Sequence, residues 1–198
     1  MANYNAIKYD GFSKGSLTLI KTITASSDST LSFVDGSSSV VLDSTYKEYL
    51  FIFNNIHPQT NAKEFGFNLS VDGGSNYNVQ KTTTSFDAYH AEAGNDAGLR
   101  YDGNNNDLGN GTGFMYFNYD AGNENDANLN GYMHLFNPSD TTFVKHFTAR
   151  VNWQYLDTYS VQAYIGGYAN TTSAVDAIQF KMESGNIDAG VIQLFGVT

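Results

Sequence analysis

Between Ala174 and Val197 the chain carries two apolar runs separated by Ser184, Gly185 and Asn186, and no other stretch restricts the fold as much. Ile178, Phe180 and Met182 alternate at period two, the side-chain repeat of a β-strand. Gly190-Val-Ile-Gln-Leu-Phe-Gly196 follows three residues of types that tolerate turn dihedrals. The pattern predicts a closing β-hairpin.

Upstream, helix signals are nearly absent while strand signals recur. Thr18, Ile20 and Thr22 alternate with Leu17, Leu19, Lys21 and Ile23, and Phe65, Phe67, Leu69 and Val71 alternate with Gly66, Asn68 and Ser70. Both read as half-buried strands. Tyr49-Leu-Phe-Ile-Phe53 is apolar at every position, which fits a central strand covered on both faces or a helical segment; aromatic and β-branched enrichment favours the strand. Further strands are expected over 77–84, 113–118, 131–137, 141–155 and 159–168, about ten in all. With turn-forming residues between them and no repeat of 20 to 50 residues, the chain is expected to be all-β: a single antiparallel β-sandwich, jelly-roll-like.

Two segments break the strand pattern. In Gly94 to Gly113, fourteen of twenty residues are Gly, Asn or Asp, and Asp120 to Gly131 is similarly polar. Both are expected to be long surface loops, and loops of that length often carry function. Residues 15–198 then form the sandwich. Residues 1–14, polar with Tyr4, Ile7, Tyr9 and Phe12 interspersed, form a lead-in to the first strand or a segment that docks to a neighbouring subunit or particle.

Composition narrows the function. The chain has 198 residues, no Cys, 20 acidic residues and 10 Lys or Arg, for a net charge of −10. That charge, with basic residues scattered singly, disfavours a phosphate backbone as partner. Without Cys there is no disulfide framework or thiolate zinc site, which suits synthesis in a cytoplasm. The opening residues lack the pattern of a signal peptide, and no run approaches the roughly 18 apolar residues of a membrane helix.

Several segments together resemble a known family. The closing pattern of apolar alternation, Ser-Gly and Gly-x-Ile-x-Leu-aromatic-Gly, with Gly15 to Ile23, Ser32 to Gly36, Tyr49 to Pro58, Asp72 to Tyr77, Leu135 to Ser139 and Phe143 to His146, resembles β-sandwich structural proteins of tailed bacteriophages, particularly marine phages. The resemblance implies a non-enzymatic virion structural protein, either a capsid decoration or a fibre or appendage subunit. Its partners would be other virion proteins and copies of itself, a homotrimer being favoured. The alternative is a host-receptor or glycan-binding module of a tail fibre. No catalytic residue, cofactor or nucleic-acid partner is implied.

For recognition, Tyr101, Tyr116 and Tyr119, with Phe114 and Phe117, offer aromatic faces, while Asp102, Asn104, Asn105, Asn106 and Asp107 supply hydrogen bonds, a mixture suited to sugar hydroxyls. Asp102, Asn104 and Asn106 have the opening spacing of a calcium loop. Asp107 then stands where Gly is needed and Gly113 where a bidentate Glu is needed, so no metal site is expected there. A looser oxygen cage would draw on Asp102, Asp107, Asp120, Glu124 or Asp126. His57, His90, His134 and His146 lack metal-ligand spacing. Motifs for nucleotide and acyl chemistry are absent, and Asp87, Glu92, Asp157, Asp176 and Glu183 would serve a hydrolase only if two converged. Asn68, Asn110 and Asn170 begin glycosylation-type triplets, which carry little weight in an Asn-rich chain.

Overall fold

A computed structural model describes residues 17–101, 107–156 and 158–198. They form twelve strands: β1 (Leu17–Asp28), β2 (Leu31–Val34), β3 (Glu48–Pro58), β4 (Phe65–Ser70), β5 (Lys81–Ala91), β6 (Ala97–Tyr101), β7 (Met115–Tyr116), β8 (Leu129–Phe136), β9 (Lys145–Tyr155), β10 (Tyr159–Ala169), β11 (Ala177–Met182) and β12 (Ile187–Val197). All pairing is antiparallel, in one sheet of order β1-β12-β3-β8-β9-β10-β5-β6 and a second of order β2-β11-β4-β7. The chain is therefore an all-β sandwich.

Setting aside β5, β6, β9 and β10 leaves two interleaved four-stranded sheets, β1-β12-β3-β8 and β2-β11-β4-β7. That alternation of the chain between sheets is the jelly-roll pattern. The four remaining strands widen one sheet and leave the other unchanged.

The expected closing hairpin is corrected. β11 pairs with β2 and β4, whereas β12 pairs with β1 and β3 in the opposite sheet. Ser184, Gly185 and Asn186 carry the chain across the sandwich, with Gly185 at φ 75°. Two facing strands each turn an apolar edge to the shared core, so alternation around a turn is the same for an arch and for a hairpin.

That core is aromatic. Phe180 of β11 lies 5.4 Å from both Phe51 and Phe53 of β3 and 5.9 Å from Phe65 of β4, ring centre to ring centre. β3 is a central strand as expected, with Tyr49, Phe51 and Phe53 buried and Ile52 half-buried. β4 departs from the half-buried expectation, because Gly66, Asn68 and Ser70 are buried as well as Phe65, Phe67 and Leu69, while Val71 lies beyond the strand and is exposed.

Strand limits also shift. The strand expected over 77–84 runs from Lys81 to Ala91, and that over 113–118 contracts to Met115 and Tyr116. Gly94 to Gly113 is not all loop. Ala97 to Tyr101 pair with β5 as β6, and Lys81 exchanges backbone hydrogen bonds with Gly111 on the same edge. The loop over 120–131 ends where β8 begins at Leu129.

Past the jelly roll, both the short sheet and loop residues pack on the inner face of the long sheet. Phe67 of β4 reaches Phe147 of β9 at 5.1 Å, and Tyr119 packs edge-on against Trp153 of β9 at 5.1 Å. The inner column of β5 is instead polar, with Lys81, Thr83, Ser85 and Asp87 all buried. Lys81 Nζ donates to Asn68 Oδ1 and to the Val79 carbonyl at 2.8 Å, and Thr83 Oγ1 accepts from the Leu108 amide at 2.7 Å. Burial holds the Lys81 ammonium far below the usual lysine range, at about 7.

Candidate functional site

Two surfaces stand out, on opposite faces of the eight-stranded sheet. The first is its outward face. Register aligns Gln193, Ile52, Tyr132, Arg150, Tyr164, Phe86 and Tyr101 in one row across seven adjacent strands. Directly paired residues share a face and sit within contact distance. Phe86 stacks on Tyr164 at 5.0 Å with 7° between the ring planes, and the Arg150 guanidinium lies 5.0 Å from the Tyr164 centroid. Phe86 is 50% exposed, Tyr101 60% and the neighbouring Leu99 78%. Beside the row, Leu50, Ile52, Tyr132 and His134 line a depression of about 370 Å³.

This face is nearly free of charge. In the four outward rows that end, on the β5–β6 side, at Leu99, Tyr101, Thr84 and Thr82, Glu48 and Arg150 are the only Asp, Glu, Lys or Arg residues. Glu48 is itself paired with His134. The chain carries 20 acidic residues, so their near-absence from its broadest surface is selective.

The second surface is a cleft on the inward side, at the end of the sheet that the short sheet does not cover. Tyr89 of β5, Asp96, Arg100 of β6, Tyr119, Tyr155 of β9 and Tyr159 of β10 line a cavity of about 220 Å³. Register explains the meeting: Tyr155 and Tyr159 pair across the β9–β10 hairpin, and Tyr159 also faces Ala91 at the end of β5. The rings form an arc, with centroids 5.2 Å apart for Tyr119 and Tyr155, 5.7 Å for Tyr155 and Tyr159, and 6.2 Å for Tyr159 and Tyr89. Arg100 closes the arc, its guanidinium carbon 3.9 Å from the Tyr119 centroid and 5.7 Å from that of Tyr89.

Arg100 Nε donates to both carboxylate oxygens of buried Asp87, at 3.1 and 3.0 Å. This bifurcated, charge-assisted contact orients the side chain. Tyr159 donates its hydroxyl to Asp96 at 3.3 Å, and burial, with the Asp96 charge adding to it, raises the Tyr159 hydroxyl above its ordinary pKa. Tyr159 also lines a second recess of about 400 Å³, whose polar groups include Glu92, Asp126, Asn128, Asn152 and Gln154.

The residues expected to form one recognition surface are dispersed. Tyr101 projects from the outward face, Tyr119 belongs to the inward cleft, and Tyr116 is half-buried on β7 of the short sheet. Asp107 is half-buried, and Phe117 is core rather than surface. Asp102, Asn104, Asn105 and Asn106 lie outside the described residues, as do Tyr4, Ile7, Tyr9 and Phe12 of the expected docking segment. The cleft's other members, Tyr89, Asp96, Arg100, Tyr155 and Tyr159, come from segments too distant for any spacing motif, although Tyr155 and Tyr159 bracketing a short turn is a hairpin-pair signal.

Several of the remaining candidates have local structural partners, and Asp157 lies outside the described residues. Asp87 holds Arg100, Glu183 pairs with Lys63 at 3.1 Å, and Asp176 accepts from the Gly73 amide at 3.0 Å. His57 lies 3.6 Å from Asp188, whereas His134 contacts Glu48. Among the described residues, no three His, Cys, Asp or Glu side chains converge as a metal site would need. Asn68 is buried and donates to the Tyr77 and Thr112 carbonyls, so its triplet is closed to modification in the folded protein. No family model, curated protein or solved structure matches the chain.

Proposed function

We propose that this chain is a non-enzymatic virion structural protein of a tailed bacteriophage, a capsid decoration or a fibre or appendage subunit, acting through assembly interfaces. The observation that carries this reading is the charge-poor, aromatic outward face of the eight-stranded sheet. Interface cores are depleted of Asp, Glu and Lys and enriched in aromatics and Arg, and a large apolar patch ringed by polar surface marks an association site. Six or seven inter-strand gaps of about 4.8 Å and four rows about 7 Å apart make a field of roughly 650 Å². A standard interface takes about 800 Å² per partner. The jelly roll, which virus capsid domains use among others, and the resemblance in the closing residues support the same context.

The occupant that fits best is another copy of the chain. Two molecules of charge −10 repel through most of their surface, and this face is where the repulsion is least. Threefold association is the arrangement the resemblance favours. Size-exclusion chromatography with light scattering is expected to give an oligomer for the unmodified chain and a monomer of unchanged Tm for Phe86→Glu. Cryo-EM of particles is expected to place the protein on the capsid surface or on a fibre. A monomeric unmodified chain at about 100 µM, together with its absence from purified particles, would sink the proposal.

A further inference from the structure

We infer that the inward cleft of Tyr89, Asp96, Arg100, Tyr119, Tyr155 and Tyr159 is a binding site for a neutral saccharide. The site lies on the side of the sheet opposite the assembly face, so it does not depend on the oligomer. Its chemistry follows from three features. The tyrosine arc presents ring faces and edges to a cavity the size of one sugar ring, and rings of this kind pack on the apolar faces of pyranoses while their hydroxyls remain available as donors and acceptors. Asp96 supplies acceptors and the guanidinium supplies donors, the pair needed for vicinal hydroxyls. The charge balance then selects against anions. Arg100 is already neutralised by Asp87, and Asp96 and the overall negative field repel an anion. The cation-binding position over Tyr119 is occupied by that same guanidinium at 3.9 Å, which leaves no vacant ring face for a quaternary ammonium there. A neutral polyol with an apolar face satisfies all three.

The cleft holds one sugar ring; the polar recess that shares Tyr159 is lined by Asn152, Gln154 and Ser160, whose register places them on the outward face, so it does not continue the cleft.

The chain carries its own reporter, because Trp153 is its single tryptophan and packs against Tyr119 at 5.1 Å. Maltotriose, cellotriose, chitotriose and mannotriose are titrated at millimolar concentration into the unmodified protein and into Phe86→Glu, with Trp153 emission and saturation-transfer NMR as readouts. At least one trisaccharide is expected to give a saturable change in both proteins, and its monosaccharide methyl glycoside a comparable one, because the cleft holds a single ring. Tyr155→Ala is expected to weaken binding about tenfold through loss of a stacking ring. Asp96→Asn, a fully surface change, is expected to weaken it by less while leaving Tm unchanged. Tyr159→Phe keeps the ring and is expected to retain most of the affinity. The inference is overturned if none of the four sugars gives saturation transfer. It is equally overturned if tetramethylammonium or inorganic phosphate saturates the emission change in their place, or if sugar binding survives both Tyr155→Ala and Asp96→Asn.

Discussion

Lys81 sits wholly inside the protein with neutral acceptors, Asn68 Oδ1 and the Val79 carbonyl, and no carboxylate contributes to its ionisation. Burial disfavours the ammonium and lowers its pKa to about 7. In the unfolded chain the same amine titrates near ~10.4. Between those values the unfolded chain holds a proton that the folded protein has released, so stability rises with pH across that window. Thermal melts from pH 7 to about 9.5 are expected to show a rising Tm. The Lys81→Met variant is expected to flatten that slope, and an unchanged slope would place the amine in contact with water. The window is kept below pH 10 because burial pushes Tyr49 up to about 12, which reverses the sign there. No sequence signal distinguishes Lys81 from an exposed strand lysine: Lys-Thr-Thr-Thr reads as a solvated edge, and only the fold reveals that its alternate residues point inward.

Among the elements, β7 is the most dependent on a single neighbour. Its two residues pair only with β4, and a Cβ added at Gly66 would meet the Met115 carbonyl oxygen at 2.4 Å and the Tyr116 ring at 2.6 Å. Gly66→Ala is therefore expected to push β7 away and cost about 1–3 kcal/mol in chemical denaturation, the range for overpacking a close contact. An effect below about 0.5 kcal/mol would mean that the segment relaxes freely. β7 also marks how far the elements are legible in the residues. Long alternating runs such as β9 read directly: of Phe143, Lys145, Phe147 and Ala149, which share one parity, the last three are buried, whereas Phe143 precedes the strand and is exposed. β6 does not, because five residues inside a Gly-, Asn- and Asp-rich run are too few to outweigh their surroundings. The pairing of β11 and β12 is hidden for a different reason, since period two reports which face is buried and not which strand lies alongside. For the same reason the cleft is legible only at Tyr119. Its remaining members converge through the register of β5, β6, β9 and β10, which pairing decides and composition does not.

At the scale of the whole molecule, Phe180 joins the two sheets, within 6.5 Å of five other phenylalanine rings. Phe180→Ala is expected to cost about 3–5 kcal/mol, in keeping with loss of a fully buried aromatic, as read by urea unfolding. A cost near 1 kcal/mol would mean that the surrounding rings collapse into the space. The interleaving that gathers these rings also orders events in time. β1 pairs only with β12, and β2 only with β11, so the first two strands have their sheet partners among the last two. Pairings so distant in sequence fold slowly, because loop closure must precede any gain. A ribosome that has not yet translated residues 177–197 therefore holds a chain whose opening strands have nothing to pair with. Closure of the jelly roll, and with it completion of the sheet surface proposed as the assembly face, then falls after the closing strands emerge, so growing chains on one messenger do not present a finished face to one another.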